Sequence, residues 1–302
     1  MRIFVTGASG FVGSAIVREL INAGHHVLGL ARSDAAAEAV AAAGADVHRG
    51  TIEDLESLRS AALVSDAVIH TAFIHDFANF PAAATADTRA IEALAEPLAG
   101  SDRPLVVTSG TALVSPGRLV TEDDDPDPKL TAAWPRKSEE TALAMAGRGV
   151  RASAVRLPPT VHGDGDHAFI PRLIDIAREK GVSAYVGDGS NRWAAVHRLD
   201  AAHLFRLAVE RASSGARYHG VGDEGVSFRE IATIIGQHLN VPVVSKSSED
   251  AAEHFGFLAR FAAMDLPASS ALTQQRLGWR PTRVGLLADL SHGQYFEKAG
   301  VA

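Results

Sequence analysis

The 302-residue chain contains no cysteine. That absence excludes disulfide bonds, thiolate catalysis, and any zinc or iron–sulfur site built on cysteine ligands. The sequence also lacks an apolar run of about 18 residues, the length that a membrane-spanning helix requires. The apolar run at the N-terminus, in "MRIFVTGASG", is broken by Gly7 and is too short for a signal peptide. We therefore expect a soluble, cytoplasmic protein with no membrane partner.

The chain also has fewer basic than acidic residues. The chain has 29 Lys and Arg residues against 36 Asp and Glu, which gives a formal net charge of -7 at pH 7. The basic residues form no block, so we expect no nucleic-acid partner. Apolar residues make up 46% of the chain, enough for a substantial core. A small-molecule substrate is the expected partner, and self-association into a homodimer is left open.

Short apolar runs alternate with longer helical patterns over residues 1–160. Several of the apolar runs are apolar on both alternating faces, as strands covered by helices on both sides must be. The predicted strands are residues 2–7, 26–32, 45–50, 66–72, 104–109 and 151–158. The segments between them, such as 14–24, carry apolar residues at helical spacing. This alternation predicts an α/β fold whose first domain, residues 1–160, is a doubly wound Rossmann-type parallel sheet.

The regular alternation stops after residue 160. Helices are predicted at 169–181, 199–212 and 227–239, a strand and turn at 183–189, and a last strand at 216–222. That last strand would return to the main sheet, so residues 190–222 are assigned to the Rossmann domain. Residues 161–189 and 223–302 then form a smaller, mostly helical C-terminal lobe, which we expect to bind the substrate.

A glycine-rich segment follows the first strand. In "TGASGFVG" the glycines have GxxGxxG spacing and lead directly into a helical pattern. Glycine permits the tight turn, lets the backbone approach a pyrophosphate, and lets the helix pack closely on the strand. The segment therefore predicts a dinucleotide site formed by Gly7, Ser9, Gly10, Phe11, Val12 and Gly13. A plain strand–helix turn is the alternative interpretation.

The end of the second strand indicates which dinucleotide is bound. NAD-selective proteins place an Asp or Glu about 20 residues beyond the glycine motif, against the ribose hydroxyls. Here Arg32 and Ser33 come first, and Asp34 is expected to point into the following helix. A guanidinium suits the 2′-phosphate of NADP(H). We therefore predict NADP(H) in preference to NAD(H), with a plain surface arginine as the alternative interpretation of Arg32.

Five segments give the chain a resemblance to a known family along nearly its whole length. They are "TGASGFVG" (6–13), "DAVIHTAF" (66–73), "VVTSGTALV" (106–114), "VRLPPTVHG" (155–163) and "VGDGSNRWAAVHRLDAA" (186–202). Together they resemble the extended short-chain dehydrogenases/reductases, in particular the atypical NAD-dependent epimerase/dehydratase-like members. The resemblance implies that the glycine segment binds the pyrophosphate. It also implies that His70, Thr71 and Ala72 lie along the adenosine half, and that Leu157 and Pro158 wall the nicotinamide.

The chain departs from this family at the usual catalytic pair. The family uses a tyrosine hydroxyl as proton donor and, four residues later, a lysine that lowers the tyrosine pKa and holds the ribose. The tyrosines of this chain are each followed four residues later by glycine or alanine; they are Tyr185, Tyr218 and Tyr295. Trp134 and Lys137 lie nearest the expected position but are three residues apart, and another alignment places Pro135 and Glu139 there. The usual acid is therefore missing.

Other side chains must supply the chemistry if the chain retains it. The family's catalytic Ser/Thr position falls on Ser109-Gly110-Thr111, so either hydroxyl could point at the substrate, or Gly110 could occupy the position. Lys137 would hold the ribose, and His197 could replace the tyrosine as an acid near neutral pH. The candidate catalytic residues are therefore Ser109, Thr111, Lys137 and His197.

Two segments admit a second interpretation. Trp193 and His197 are expected to face the cleft and position the substrate, but a core tryptophan and a helix-capping histidine are the plainer alternative. The segment "HGDGDH" (162–167) has two histidines and two aspartates, yet its spacing matches no zinc pattern. We therefore predict no metal site, and its glycines favour a loop over the cofactor.

Taken together, the motifs predict an NADP(H)-dependent oxidoreductase of the extended short-chain type. Its substrate would be a small carbonyl or hydroxyl compound, or an activated enone or quinone. A non-catalytic NADP(H)-binding sensor is the first alternative, since the nucleotide motif is present and the usual acid is missing. A sugar-nucleotide epimerase or dehydratase is the second, although that chemistry also depends on the missing tyrosine.

Overall fold

A seven-stranded parallel sheet forms the centre of the protein. The computed structural model describes residues 1–76 and 79–297. In chain order its strands are β1 (Arg2–Thr6), β2 (His26–Ala31), β3 (Asp46–Arg49), β4 (Ala67–His70), β5 (Pro104–Gly110), β6 (Arg151–Leu157), β7 (Thr160–His162), β8 (Ser183–Val186), β9 (Arg192–His197), β10 (Ala216–His219), β11 (Asp223–Ser227) and β12 (Val243–Lys246). Seven of these strands lie side by side in the order β3-β2-β1-β4-β5-β6-β10.

This strand order confirms the predicted doubly wound fold. All neighbouring strands of the sheet are parallel. In β1, Ile3 is paired with Val27 of β2 on one side and with Ala67 of β4 on the other. The direction of winding reverses between β1 and β4. In open α/β sheets, ligands bind outside the carboxyl ends of the strands at such a reversal.

Helices cover both faces of the sheet and build the C-terminal region. In chain order they are α1 (Phe11–Asn22), α2 (Asp34–Ala42), α3 (Leu55–Leu63), α4 (Phe80–Ala95), α5 (Pro128–Ala133), α6 (Ser138–Ala144), α7 (Phe169–Lys180), α8 (Arg198–Arg211), α9 (Phe228–Leu239), α10 (Ser248–Phe255), α11 (Ala259–Ala262), α12 (Ala271–Leu277) and α13 (Leu286–His292). Across residues 1–76 and 79–297, no helix is both long and apolar enough to cross a membrane.

Alternate residues of the central strand face two separate cores. Ile3 and Val5 belong to the core that includes side chains of α1 and α8, whereas Phe4 belongs to the core that includes α3 and α4. All three side chains are fully buried. Burial of each such side chain contributes about 1.5–3 kcal/mol to folding. The two-sided apolar pattern of the sequence therefore corresponds to two helical layers around one sheet.

The chain after β6 forms two small sheets, ordered β11-β9-β7 and β12-β8. A third apolar core, to which α7 and α9 contribute, packs beside them. Residues 190–222 are divided: β9 joins the first small sheet, α8 packs against α1, and β10 pairs with β6 at the edge of the main sheet. The end of the predicted lobe, residues 298–302, lies outside the described residues.

Four strands of this region, β7, β9, β11 and β12, were not predicted from the sequence. The segment of β9 reads "RWAAVH", and alanine is depleted in strands. β7 has only three residues, too few for an alternating pattern to be recognised. These segments become strands because neighbouring segments pair with them. Residues 161–189 and 223–297 are otherwise mostly helical, as predicted.

Two glycines allow the first helix to begin directly against the first strand. Gly7 has a φ of 69°, a conformation that residues with a Cβ rarely adopt. A Cβ on Gly13, in the first turn of α1, would lie 1.9 Å from the carbonyl oxygen of Gly7. Because the opposing atom belongs to the backbone, no side-chain rotation relieves this contact. The packing of α1 on β1 therefore requires glycine at position 13.

We predict that Gly13→Ala lowers the free energy of unfolding by about 1–3 kcal/mol, because the added methyl group forces the turn and the helix apart. Gly10→Ala is the matched control, since a Cβ there would lie 3.2 Å from the same Gly7 oxygen and needs only a small adjustment. Urea unfolding of the two variants measures the difference. Equal stabilities would contradict the packing argument.

Candidate active site

The N-terminus of α1 is open at the glycine turn. Ser9 and Gly10 are exposed, and α1 begins at Phe11 with no described side chain capping its first N–H groups. Free N–H groups and the positive end of the helix dipole bind phosphate oxygens. The predicted residues lie together here, in a cradle that fits the pyrophosphate of a dinucleotide: Gly7, Ser9, Gly10, Phe11, Val12 and Gly13.

The segment that follows β4 lies directly against this turn. The Thr71 hydroxyl donates to the Thr6 carbonyl oxygen at 2.7 Å, and the Ala72 N–H donates to Thr6 Oγ1 at 3.3 Å. A Cβ on Gly7 would lie 2.7 Å from Thr71 Oγ1. His70, Thr71 and Ala72 therefore border the β1–β4 crevice, where a dinucleotide would lie in a sheet of this order.

Arg32 is the exposed residue that directly follows β2. The next residue, Ser33, caps α2, since its Oγ accepts a hydrogen bond from the Ala36 N–H at 3.2 Å. The carboxylate of Asp34 is bound by Arg49 at the end of β3, at 2.8 Å. The nearest acid is thus occupied by another arginine. Arg32 is exposed beside this cap, and its contact with a ribose phosphate stays a prediction.

The carboxyl ends of β5 and β6 bring four predicted residues together. Ser109 and Thr111 are buried, and Gly110 is paired with Leu157 in the last register position of the two strands. Pro158 follows and is buried as well. Thr111 Oγ1 is buried and has no hydrogen-bond partner in the described part of the chain. A ligand oxygen at this edge would satisfy that hydroxyl.

A chain of hydrogen bonds runs from β1 to the start of α6. Thr6 Oγ1 lies 2.7 Å from His70 Nδ1, and His70 Nε2 lies 3.1 Å from Asp87 Oδ1. The Ser138 hydroxyl donates to Asp87 Oδ2 at 2.5 Å, and Arg136 Nε donates to Ser138 Oγ at 2.9 Å. All of these side chains except Arg136 are buried. A continuous network of this kind fixes the orientation of each member.

Asp87 is the acidic centre of this network. Burial would raise its pKa, but hydrogen bonds from His70 and Ser138 and the nearby charge of Arg136 hold the pKa of Asp87 below its ordinary value. The carboxyl group is therefore ionised. His70 was predicted from the sequence, whereas Asp87 was not. One signal for Asp87 is present: it is an acidic residue on the apolar face of α4, four residues before the buried Ile91.

Arg136 is the cation that the structure places at this end of the sheet. Its Nη2 donates to the Thr108 carbonyl oxygen at 3.1 Å, and its guanidinium carbon lies 4.3 Å from the centroid of the Phe73 ring. Burial lowers the pKa of Arg136, and Asp87 opposes that shift, so the group stays charged. Lys137, the predicted ribose contact, is exposed at the N-cap of α6. No pattern in the sequence indicates that the neighbouring Arg136 is the more enclosed cation.

Ion pairs behind the sheet edge anchor helix α6. Arg156 on β6 binds Glu139 through two hydrogen bonds, at 2.8 Å and 2.6 Å. Arg217 on β10 donates to the same carboxylate at 2.6 Å. Burial would raise the pKa of Glu139, but Arg156 and Arg217 hold it below its ordinary value. Because α6 begins at Ser138, these pairs also fix the position of the polar chain.

His197 lies at the junction of β9 and α8. Its Nδ1 accepts a hydrogen bond from the Leu199 N–H at 3.2 Å, so the ring caps α8, and it lies 5.4 Å from the His162 ring. Burial and His162 lower the pKa of His197, which reduces its protonated fraction at neutral pH. Trp193 is fully buried and donates from Nε1 to the Phe261 carbonyl oxygen at 3.1 Å. The structure thus places Trp193 in the core of the lobe.

The glycine-containing loop 163–168 lies over the start of α1. The rings of His167 and Phe11 are 5.8 Å apart, in an edge contact. The Arg198 guanidinium lies 5.0 Å from the Phe11 ring, and its Nη1 donates to the Asp164 carbonyl oxygen at 2.7 Å. The loop therefore borders the glycine turn, and its predicted place over a bound cofactor stays a prediction.

The C-terminal segment holds this loop in place. His162 Nδ1 lies 2.8 Å from Asp289 Oδ2, and the Gly163 N–H donates to the Tyr295 hydroxyl at 3.0 Å. The same hydroxyl lies 3.4 Å from Asp166 Oδ2. Burial raises the pKa of Asp166 to about 6. The carboxyl group of Asp166 therefore keeps its proton to a higher pH than an ordinary aspartate does.

We predict that Asp166 makes the folded protein less stable as the pH rises through about 6. The folded state holds the proton above the ordinary pKa of 3.8, so its stabilising effect is present near pH 4 and lost above 6. Asp166→Asn should therefore unfold at the same temperature as the wild type near pH 4. Above pH 6 it should be more stable, by on the order of 1 kcal/mol after solvent screening.

Thermal unfolding between about pH 4 and pH 8 measures this difference. The amide of the variant can still accept the hydrogen bond that the Ala168 N–H donates to Asp166 at 2.8 Å. Asp164→Asn, in the exposed part of the same loop, is the control and should follow the wild type at every pH. A constant offset between Asp166→Asn and the wild type would refute the assignment.

Comparison with known proteins agrees with this geometry. The model of the NAD dependent epimerase/dehydratase family matches residues 3–221. The chain is 54% identical to an uncharacterized protein of Schizosaccharomyces pombe over 299 residues, which are 98% of this chain and 100% of that protein. It is 30% identical over 270 residues to the 4-hydroxy-2-methyl-3-oxo-4-farnesyl-3,4-dihydroquinoline-1-oxide ketoreductase of Stigmatella aurantiaca, covering 85% of this chain and 80% of that protein.

Solved structures show the same fold. A dTDP-glucose 4,6-dehydratase from Streptomyces venezuelae, with NAD bound, superposes with a TM-score of 0.78 over 98% of this chain and 96% of that chain, at 22% identity. The likeness extends over the main sheet and the lobe. By its matched family model, its relatives and its strand order, the chain belongs to the NAD-dependent epimerase/dehydratase family, within the extended short-chain dehydrogenases/reductases.

Proposed function

We propose that the protein is an NADP(H)-dependent oxidoreductase that acts on small carbonyl or hydroxyl compounds, with activated enones and quinones as its best substrates. One observation carries the proposal: the glycine cradle adjoins a set of polar groups at the carboxyl ends of β4, β5 and β6. Thr111 Oγ1, unpartnered within the described residues, lies on that edge. The similarity to a ketoreductase supports the reaction class.

The residues divide into a cofactor group and a substrate group. The glycine turn would hold the pyrophosphate, Arg32 and Ser33 the ribose phosphate, and Lys137 the ribose near the nicotinamide. A bound NADPH supplies a hydride. Ser109 and Thr111, at the carboxyl end of β5, would donate or accept hydrogen bonds at the substrate oxygen.

The missing tyrosine limits the choice of substrate. Removal of a positioned general acid costs about 10²- to 10⁴-fold in rate, so simple ketones should react slowly. An enone or a quinone needs less help from an acid, because the negative charge that forms on its oxygen is delocalised. Sugar-nucleotide epimerization and dehydration depend on the same missing tyrosine, which argues against the structural relatives' substrates for this chain.

We predict that the protein binds NADPH more tightly than NADH, by about 10- to 100-fold, because a charge-assisted hydrogen bond to the 2′-phosphate contributes about 1.5–3 kcal/mol. Calorimetric titration of both cofactors measures the ratio. Arg32→Ala should remove most of this preference for NADPH and leave the NADH affinity unchanged. Arg172→Ala, an arginine of α7 with 44% of its side chain exposed, is the matched control. Equal affinity for the two cofactors in the wild type would refute the assignment.

We further predict fast NADPH oxidation with enones and quinones, and slow oxidation with simple aldehydes and ketones. A panel of these acceptors, followed by NADPH absorbance, tests the order. His197→Ala should lower the rate or shift its pH profile if His197 donates the proton. His197→Asn separates the two roles of this residue, because asparagine can still cap α8 but cannot act as an acid.

Three outcomes of the panel distinguish the alternatives. Fast reduction of simple aldehydes, unaffected by His197→Ala, would contradict the proposed substrate class. Equal rates for His197→Asn and the wild type would remove His197 from the proton transfer and leave it as a cap. No oxidation with any acceptor, together with tight NADPH binding, would favour the non-catalytic sensor.

A further inference from the structure

A row of aromatic rings crosses from the main sheet to the C-terminal lobe. Neighbouring ring centroids in the row are 5.7, 5.1, 5.7 and 5.4 Å apart. Each ring is only partly buried. We call this set the aromatic row; in spatial order its members are Phe73, Phe80, Trp134, Phe261 and Phe169.

The two ends of the aromatic row lie beside the candidate active site. Phe73 directly follows the His70–Ala72 segment that borders the glycine turn. Phe169, the first residue of α7, directly follows the loop 163–168, which contacts Phe11. The row therefore lines a path between two parts of the molecule that border the cofactor cradle. Partly exposed aromatic faces in continuous contact are suited to a flat, conjugated ligand.

Arg136 provides a positive charge at the first end of the row. Its guanidinium lies 4.3 Å from the Phe73 centroid. Nε and Nη2 are held by Ser138 Oγ and the Thr108 carbonyl oxygen, while Nη1 donates no hydrogen bond within the described residues. Arg136 also forms no ion pair in that part of the chain, because the Ser138 hydroxyl lies between its guanidinium and the Asp87 carboxylate. The guanidinium is thus oriented by the protein and keeps a donor for a ligand.

Arg136 cannot replace the missing tyrosine as an acid, because an arginine does not release its proton in a protein. It can stabilise a negative oxygen. As the carbon of a conjugated carbonyl compound accepts the hydride, the electron pair of the π system moves onto oxygen, and that oxygen then takes a proton from His197 or from solvent. A fixed donor aimed at developing charge in an enclosed site lowers the barrier to this step.

We propose that the aromatic row and Arg136 form the binding site for flat, conjugated carbonyl substrates, and that Arg136 is the catalytic residue that stabilises the negative charge on their oxygen. This inference rests on the proposed oxidoreductase function and specifies its substrate class. Ser138, Asp87 and His70 are positioning residues, since they act only by orienting Arg136.

A binding experiment tests the site without turnover. The probe is 4-nitrophenolate, a flat ring with a negative oxygen, and 4-nitroanisole is the matched neutral probe. We expect Arg136→Met to lower the affinity for 4-nitrophenolate by about 10- to 100-fold and the affinity for 4-nitroanisole by less than about 2-fold. Trp134→Leu should lower the affinity for both probes. Lys129→Met, which removes an exposed cation of α5, is the control and should bind both probes as the wild type does.

Kinetics with a quinone test the catalytic role. Loss of a donor to a developing oxyanion costs about 10²- to 10³-fold in kcat, so Arg136→Met should lose that factor while its NADPH affinity stays unchanged. Arg136→Lys keeps the charge and should recover part of the rate. Ser138→Ala should lower kcat less than Arg136→Met does. It should bind 4-nitrophenolate in preference to 4-nitroanisole by the same factor as the wild type.

The outcomes separate this inference from the proposed function. If the wild type reduces quinones and Arg136→Met does so equally well, the inference fails and the oxidoreductase stands. If Arg136→Met loses NADPH affinity but keeps 4-nitrophenolate affinity, Arg136 serves the cofactor and the inference also fails. If no acceptor is reduced but phenolate binding depends on Arg136, the anion site stands and the oxidoreductase function fails.

Discussion

The close approach of α1 to the turn after β1 is the constraint on which the rest of the structure depends. With only 1.9 Å between the Gly7 oxygen and any Cβ at position 13, the helix can begin at the strand end only because Gly13 has no side chain. That position aims the N-terminus of α1 at the β1–β4 crevice. The His70–Ala72 segment and the loop 163–168 then pack around the same turn, so the residues proposed to bind cofactor and substrate lie at one edge of the sheet.

The second feature is a polar network at the start of α6, near the position where the family resemblance predicts a Tyr–Lys pair. In this chain the region is occupied by Arg136 and Ser138, joined through Asp87 to His70. Its charges are stabilised because each buried group has a partner, and because Glu139 fixes α6 to Arg156 and Arg217. Under the proposed function, a permanent cation in place of a proton donor would favour substrates that form a delocalised anion over those that need a proton at once.

The C-terminal lobe contributes mainly packing and aromatic side chains, rather than reactive groups, to the region of the candidate site. Trp193 packs inside its core, and Phe261 and Phe169 carry the aromatic row from the lobe toward the sheet. The C-terminal segment, through Asp289 and Tyr295, holds the loop over α1. Residues distant in sequence thus border the candidate site, and the partly buried carboxyl group of Asp166 lies in the loop that they hold.

The sequence by itself determined the parallel sheet, the glycine turn and the arginine at the end of β2. These features depend on local patterns: two-sided apolar strands, GxxGxxG spacing, and the residue type at a strand end. Only the tertiary structure decided that β9 is a strand, that Trp193 is core, and that Arg136 and Asp87 belong to one network. Arg136 and Asp87 are 49 residues apart along the chain, and neither has a motif. Their meeting follows from how α4 and α6 pack on the sheet, which no local pattern encodes.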